Sequence, residues 1–178
     1  LDTILQSSNA LPQFEKRFDT VLMNLYQYKD SEQFQKGMEQ LREKHKSISS
    51  PDTMQGFGYS KPYGYAGDFN IIDKIYTYHT SDNKEYKVWD EYFHKSAAAR
   101  AVRNRKNYFI DLMQNNKSSK AQINILDLAS GPCRDIKEFF DADTAHDNFY
   151  FDCVDLDTQA IAYAKELLAD KVSNVNFI

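Results

Sequence analysis

The sequence predicts an α/β fold in which an all-helical N-terminal region precedes three parallel strands. Three observations predict it. Apolar residues recur at three- and four-residue spacing through most of the first 115 positions. From residue 121 the pattern shortens to brief apolar runs. Those runs alternate with single amphipathic helices, and strand–helix–strand–helix–strand order builds a parallel sheet through right-handed crossovers.

Taken in order, Phe14, Phe18, Val21, Leu22 and Leu25 mark the apolar face of a first helix, with Pro12 in its first turn. Ser31 is the candidate N-cap of a second, carrying Phe34, Met38 and Leu41. The charged run 42–46 reads as a solvated helix end rather than a basic docking patch. Residues 47–68 hold Gly56, Gly58, Gly64 and Gly67 with Pro51 and Pro62, and read as a long loop. Its aromatics Phe57, Tyr59, Tyr63 and Tyr65 argue for order, and 56–68 is a candidate lid with Tyr63 or Tyr65 near a ligand. A helix capped by Asp68 follows with Phe69, Ile72, Ile75 and Tyr76. Helices over 84–95 and 97–115 come next, the latter with Ala98, Ala101, Val102, Tyr108, Phe109 and Leu112 on its apolar side, and 117–120 is a polar linker. The strands are 123–128, 149–155 and 175–178, with helices over 135–140 and 158–169 between them. The expected domains are 1–120, helical, and 121–178, with strand order 3-2-1 as in half of a doubly wound sheet.

Composition narrows the function. A chain of 178 residues buries roughly 70% of its unfolded surface and needs neither disulfide nor metal to fold. Aromatic residues at 14% oppose disorder. A net charge of −4 gives no nucleic-acid footprint. With no apolar run near the ~20 residues of a bilayer helix, no membrane association is expected. Cys133 and Cys153 form no CxxC pair, the four histidines are scattered, and no metal site is expected. His79 and His146 read as surface residues. Free thiols and the absence of a basic leader point to a reduced, cytoplasmic setting.

The turn after the first strand, Asp127-Leu-Ala-Ser-Gly-Pro-Cys133, carries the chemistry. Ligands of parallel sheets sit at the carboxyl ends of the strands, and small residues there let them approach the backbone. Ala129, Ser130 and Gly131 are small. Asp155 ends the second strand, 24 residues after Gly131, where a carboxylate takes both ribose hydroxyls. The alternative reading of Asp155 is a helix cap, for which Asp157 is better placed. The single glycine departs from GxGxxG, which disfavours a pyrophosphate and a nucleotide-dependent oxidoreductase. A sulfonium cofactor carries no phosphate, and Asp127 suits its cationic amino end. Arg100, Arg103 and Arg105 lie on one helix, Arg100 and Arg103 on a shared face with Arg105 turned away, and read as solvated charge or as a carboxylate or cofactor clamp.

The runs ILDLASGPCRD and CVDLDTQAIAYAKELL resemble the first motif and the second-strand acid of class I S-adenosylmethionine-dependent methyltransferases. The resemblance implies an enzyme with a Rossmann-like methyltransferase sheet, of which this chain holds the first half. It implies that Asp127, Ala129 and Gly131 line the methionine portion and that Asp155 holds the ribose, with Ser130 and Leu156 also among the cofactor-binding residues. The family's usual first and third glycines are Ala129 and Cys133 here. KPYGYAGDFNIIDKIY and AAARAVRNRKNYF resemble the helical N-terminal region of a bacterial methyltransferase family that makes 3-hydroxypalmitic acid methyl ester. That second resemblance implies a small-molecule acceptor with a fatty-acid carboxylate. It spans residues 60–178, and family members continue beyond this chain's end.

A noncatalytic ligand-binding or interaction module with a degenerate cofactor fold is the alternative reading. No catalytic residue is identifiable. The strand order leaves 123–128 at an edge, and its apolar sequence carries little edge protection. The expectation is therefore an N-terminal fragment of a longer enzyme, weak alone, with the edge covered by the N-terminal helices or by pairing in a homodimer.

Overall fold

The computed structural model describes residues 10–116, 121–142, 148–171 and 173–178. The linker 117–120 and His146 lie outside the described residues. The protein is α/β, mostly helical, with a small parallel sheet of three strands. The chain divides into two compact units. The first comprises Leu1–Ala66 and Tyr78–Ala99, the second Gly67–Thr77 and Arg100–Ile178. Residues 67–77 and 100–116 thus group with the strands, on the other side of the boundary that periodicity placed at 120. Periodicity reports an element's type, not the elements it packs against.

In the first unit, α1 (Ala10–Tyr26) and α2 (Glu32–Lys44) supply Phe14, Phe18 and Leu41 to a core completed by Ile48, Val88 and Trp89. Val21 turns outward, whereas Leu22 packs on the core. Ser31 caps α2, its Oγ accepting from the Phe34 N–H at 3.4 Å. Trp89 lies in α5 (Lys84–Lys95), edge-on to Phe14 and Phe18 at centroid distances of 4.6 and 5.0 Å. Its indole N–H donates to Ser47 Oγ at 2.9 Å, so no polar atom of the ring is wasted in the core.

The predicted loop 47–68 is corrected by the structure. Residues Met54–Ser60 form a helix, α3, which encloses both Gly56 and Gly58, and a 3-10 turn covers Lys46–Ser49. Thr53 caps α3, accepting from the Gly56 N–H at 3.0 Å, and the Met54 N–H donates to the buried Asp90 carboxylate at 2.7 Å. Gly56 is required by packing rather than by a turn. A Cβ there would lie 2.0 Å from the Ser50 carbonyl oxygen.

In the second unit, α4 (Phe69–Tyr76) is capped by Asp68, which accepts from the Asn70 and Ile71 N–H groups at 3.0 and 2.9 Å. The unit boundary at 99/100 falls within α6 (Ala97–Asn115). The expected apolar side of α6 is corrected in part. Phe109 packs on the core as expected, whereas Ala98, Ala101, Tyr108 and Leu112 are exposed, and Lys106, Ile110 and Met113 are the other inward positions. The Lys106 ammonium occupies a buried helical position because it donates to Glu138 at 2.7 Å and to the Tyr76 carbonyl at 3.3 Å. A lysine in the buried stripe hides the stripe from a hydrophobic reading.

Strands β1 (Ile123–Leu128), β2 (Phe149–Val154) and β3 (Val175–Phe177) lie parallel in the order β1-β2-β3, with β1 at an edge. Helix α7 (Arg134–Ala142) joins the first pair, and α8 (Thr158–Leu167) lies between the second and third strands. One sheet face carries Phe149, Phe151 and Val175 into a core with Ile136, Phe139, Phe140 and Leu168. Leu126, Leu128 and Tyr150 alternate onto the other, exposed face. Asp73 of α4 ties three elements together. It accepts from Arg134 Nε and Nη2 at 2.7 and 3.0 Å and from the Tyr163 hydroxyl at 2.7 Å. No helix among the described residues is long and apolar enough to cross a membrane.

Two glycines of one short helix separate packing from propensity. Gly56→Ala is expected to destabilise by at least ~1–3 kcal/mol, because the clashing atom is backbone. Gly58→Ala, with open space around its Cβ, is expected to stabilise by up to ~1 kcal/mol. Urea unfolding monitored by circular dichroism reads both, and equal effects would contradict the packing assignment. Asp73→Ala is expected to cost at least ~1.5–3 kcal/mol by the same measurement, since it strands a guanidinium.

Candidate functional site

The candidate site lies at the carboxyl ends of β1 and β2. Beyond Leu128 the chain turns through Ala129, Ser130, Gly131, Pro132 and Cys133 into α7. The turn is pinned to the neighbouring strand by the Ser130 N–H, which donates to the Val154 carbonyl at 3.1 Å. Ala129, Gly131 and Cys133 have φ of 57°, 56° and 52°. Two residues with side chains therefore hold a left-handed conformation that favours glycine. They stand where the resembled motif has its first and third glycines.

Asp155 closes the site. Its Oδ2 accepts from the Gly131 N–H at 2.8 Å and its Oδ1 from the Asp157 N–H at 2.9 Å. It is not the cap of α8; Asp157 is, accepting from the Gln159 N–H at 2.9 Å. Leu156, beside it, is fully exposed at 101%. The Ser130 hydroxyl is buried without a hydrogen-bond partner among the described residues. An unmet buried hydroxyl costs about 1–3 kcal/mol, so this turn is short of a polar partner.

The electrostatics have one sign. Burial, then Asp135, then Asp155 push the Asp127 carboxyl up to about 6, against a weaker opposing pull from Arg105. Burial also raises Asp135. Arg105 is held by the Tyr76 hydroxyl, to which its Nη2 donates at 3.4 Å. Asp127 and Asp135 thus share one guanidinium while Asp155 adds a further negative charge beside Asp127, an arrangement that favours a cationic guest. Behind Asp127, Cys133 and Cys153 are fully buried. Contact with Cys133 and burial push the Cys153 thiol above the ordinary thiol range.

The structure therefore brings Asp127, Ala129, Ser130, Gly131, Asp155 and Leu156 to one end of the sheet. Tyr63 and Tyr65 belong to the first unit, Tyr63 half-buried and Tyr65 exposed. Arg100 is exposed and Arg103 half-buried, and His79 is exposed. Arg105, which the spacing turns away from the face shared by Arg100 and Arg103, is the arginine near Asp127 and Asp135, and Asp135 was not singled out from the sequence. Asp135 could have been found from its place at the start of the helix that leaves the turn. Comparison of the chain with protein families, with curated proteins and with solved structures finds no match.

The raised Asp127 pKa has a signed consequence. From about pH 4 to 6 the folded chain holds a proton that the unfolded chain, at 3.8, has lost, so folding stability falls as pH rises through this window. Asp127→Asn removes that loss. Its thermal midpoint is expected to rise relative to the parent between about pH 4 and 6 and to hold a constant advantage above. A difference independent of pH would show that Asp127 is not the titrating group.

Proposed function

We propose that the chain binds S-adenosylmethionine at the β1–β2 end and serves a methyltransferase. The observation that carries this reading is the bond from the Gly131 N–H to Asp155. It joins a small-residue turn to a strand-end carboxylate, the two parts a nucleoside cofactor needs. The carboxylate oxygens keep further lone pairs for ribose hydroxyls. The residues fit such a guest in three ways. Asp127 lies among acids and suits an amino or sulfonium cation, the Ser130 hydroxyl lacks a partner among the described residues, and Leu156 offers exposed apolar surface to an aromatic base.

The cofactor supplies a methyl group on a sulfonium leaving group. The chain's contribution is to bind and orient: Asp155 fixes the ribose, Asp127 the amino end, and the left-handed turn keeps side chains clear of the backbone path. Positioning of this kind supplies much of the acceleration in transfers between bound partners. On the resemblance to the 3-hydroxypalmitic acid methyl ester family, the acceptor is a fatty-acid-like carboxylate. Such a nucleophile is ionised near neutral pH and calls for no general base.

Calorimetric titration with S-adenosylmethionine and with NAD tests the reading. Binding of the first and not the second is expected. Asp155→Ala is expected to weaken S-adenosylmethionine more than tenfold, as loss of hydrogen bonds to a charged group costs about 1.5–3 kcal/mol. Unchanged affinity in a folded Asp155→Ala chain would remove the ribose assignment, and preference for NAD would remove the methyl-transfer reading.

A further inference from the structure

We infer that Asp127, Cys133 and Cys153 form a binding site for a thiophilic divalent cation, with zinc as its physiological representative. This goes beyond the methyl-transfer reading and shares only the Asp127 carboxylate with it. The parallel register pairs Asp127 with Cys153, so their side chains lie side by side on the covered face of the sheet. The turn then brings Cys133 back to them, its N–H donating to the Ser130 carbonyl at 3.3 Å. The carboxylate and the two sulfurs all lie within 4.8 Å of one another. A tetrahedral zinc, at about 2.3 Å from sulfur and 2.0–2.2 Å from oxygen, needs its donors roughly 3.5–3.8 Å apart. Closing the donors by at most about 1 Å reaches that spacing.

The donor chemistry selects the ion. Two sulfurs and one carboxylate suit zinc and its soft relatives, whereas magnesium and calcium require oxygen shells. Three protein donors leave a fourth position for water or a ligand. A second observation points the same way. Asp127 receives no hydrogen bond among the described residues and stands beside Asp135 and Asp155, with Arg105 as the counter-charge. A divalent cation relieves that repulsion. Binding displaces two thiol protons, M2+ plus two RSH giving M(SR)2 plus two H+, with no change of oxidation state. Asp127 serves both sites, so cation and cofactor compete for the same carboxylate.

The chain has only two cysteines, which makes the test direct. The reduced chain is titrated with Co2+ alone, without S-adenosylmethionine. One equivalent is expected to give a near-ultraviolet sulfur-to-cobalt charge-transfer band and tetrahedral visible bands, both abolished by Zn2+. Two protons are expected to be released per ion in weak buffer. Cys133→Ala and Cys153→Ala, checked for folding by circular dichroism, are each expected to weaken cobalt binding beyond the ~10–100-fold typical of outer-shell changes. Asp127→Asn is expected to weaken binding and keep the thiolate band. Absence of the band in the folded parent chain would overturn the site and leave two cysteines that only pack. Should the alanine variants unfold, the parent spectrum still decides, since the band can arise from no other sulfur pair. The outcome is independent of whether S-adenosylmethionine binds.

Discussion

The second unit is organised around one carboxylate. Asp155 ends β2, and its two oxygens hold the Gly131 amide of the preceding crossover and the Asp157 amide that leads into α8. Because the strands are parallel, their carboxyl ends lie at the same edge, and an acid there can reach the turn of its neighbour. The left-handed path of Ala129–Cys133, the start of α7 and the start of α8 are thus referred to a single side chain. Charge-assisted bonds of this kind are stronger than neutral ones, so the turn is held firmly.

That firmness has an electrostatic cost, and the cost falls at the candidate site. Asp127, Asp135 and Asp155 gather near one another while Arg105 is shared with Tyr76. A structure selected only for stability would have little use for such an imbalance. Among the described residues, a half-buried acid without a donor, a buried serine hydroxyl without a partner and an apolar side chain left in water are individually minor defects. Together at one end of a parallel sheet they are what the proposed cofactor would complete.

Much of this was legible in the sequence where local chemistry decides. Ser31 and Asp68 announced their helices because capping needs one side chain and one amide, both within three residues. The turn and Asp155 were legible because strand ends follow from where apolar runs stop. What was hidden depends on partners distant in sequence. Gly56 looked like loop punctuation but answers to the Ser50 carbonyl against which α3 is packed. Lys106 concealed the inward face of α6, since a lysine reads as surface until Glu138 is found beside it. Cys133 and Cys153 match no metal-ligand spacing, yet the pairing of Asp127 with Cys153 follows once the two strands are aligned at their ends.

The interleaved order of the units affects how the chain matures on the ribosome. Helix α4 emerges within the stretch that otherwise completes the first unit, yet its partners belong to the second. Asp73 must wait 61 residues for Arg134 and 90 for Tyr163. At synthesis rates of about 5–20 residues per second the longer wait is roughly 5–20 s, far beyond the microseconds in which a helix forms. Throughout it, Ile71, Ile75 and an unpaired acid are presented to the cellular environment on a nascent chain. The segment between Gly67 and Thr77 is therefore where a holding chaperone has the most time to act, and where slower translation prolongs the risk of misassembly.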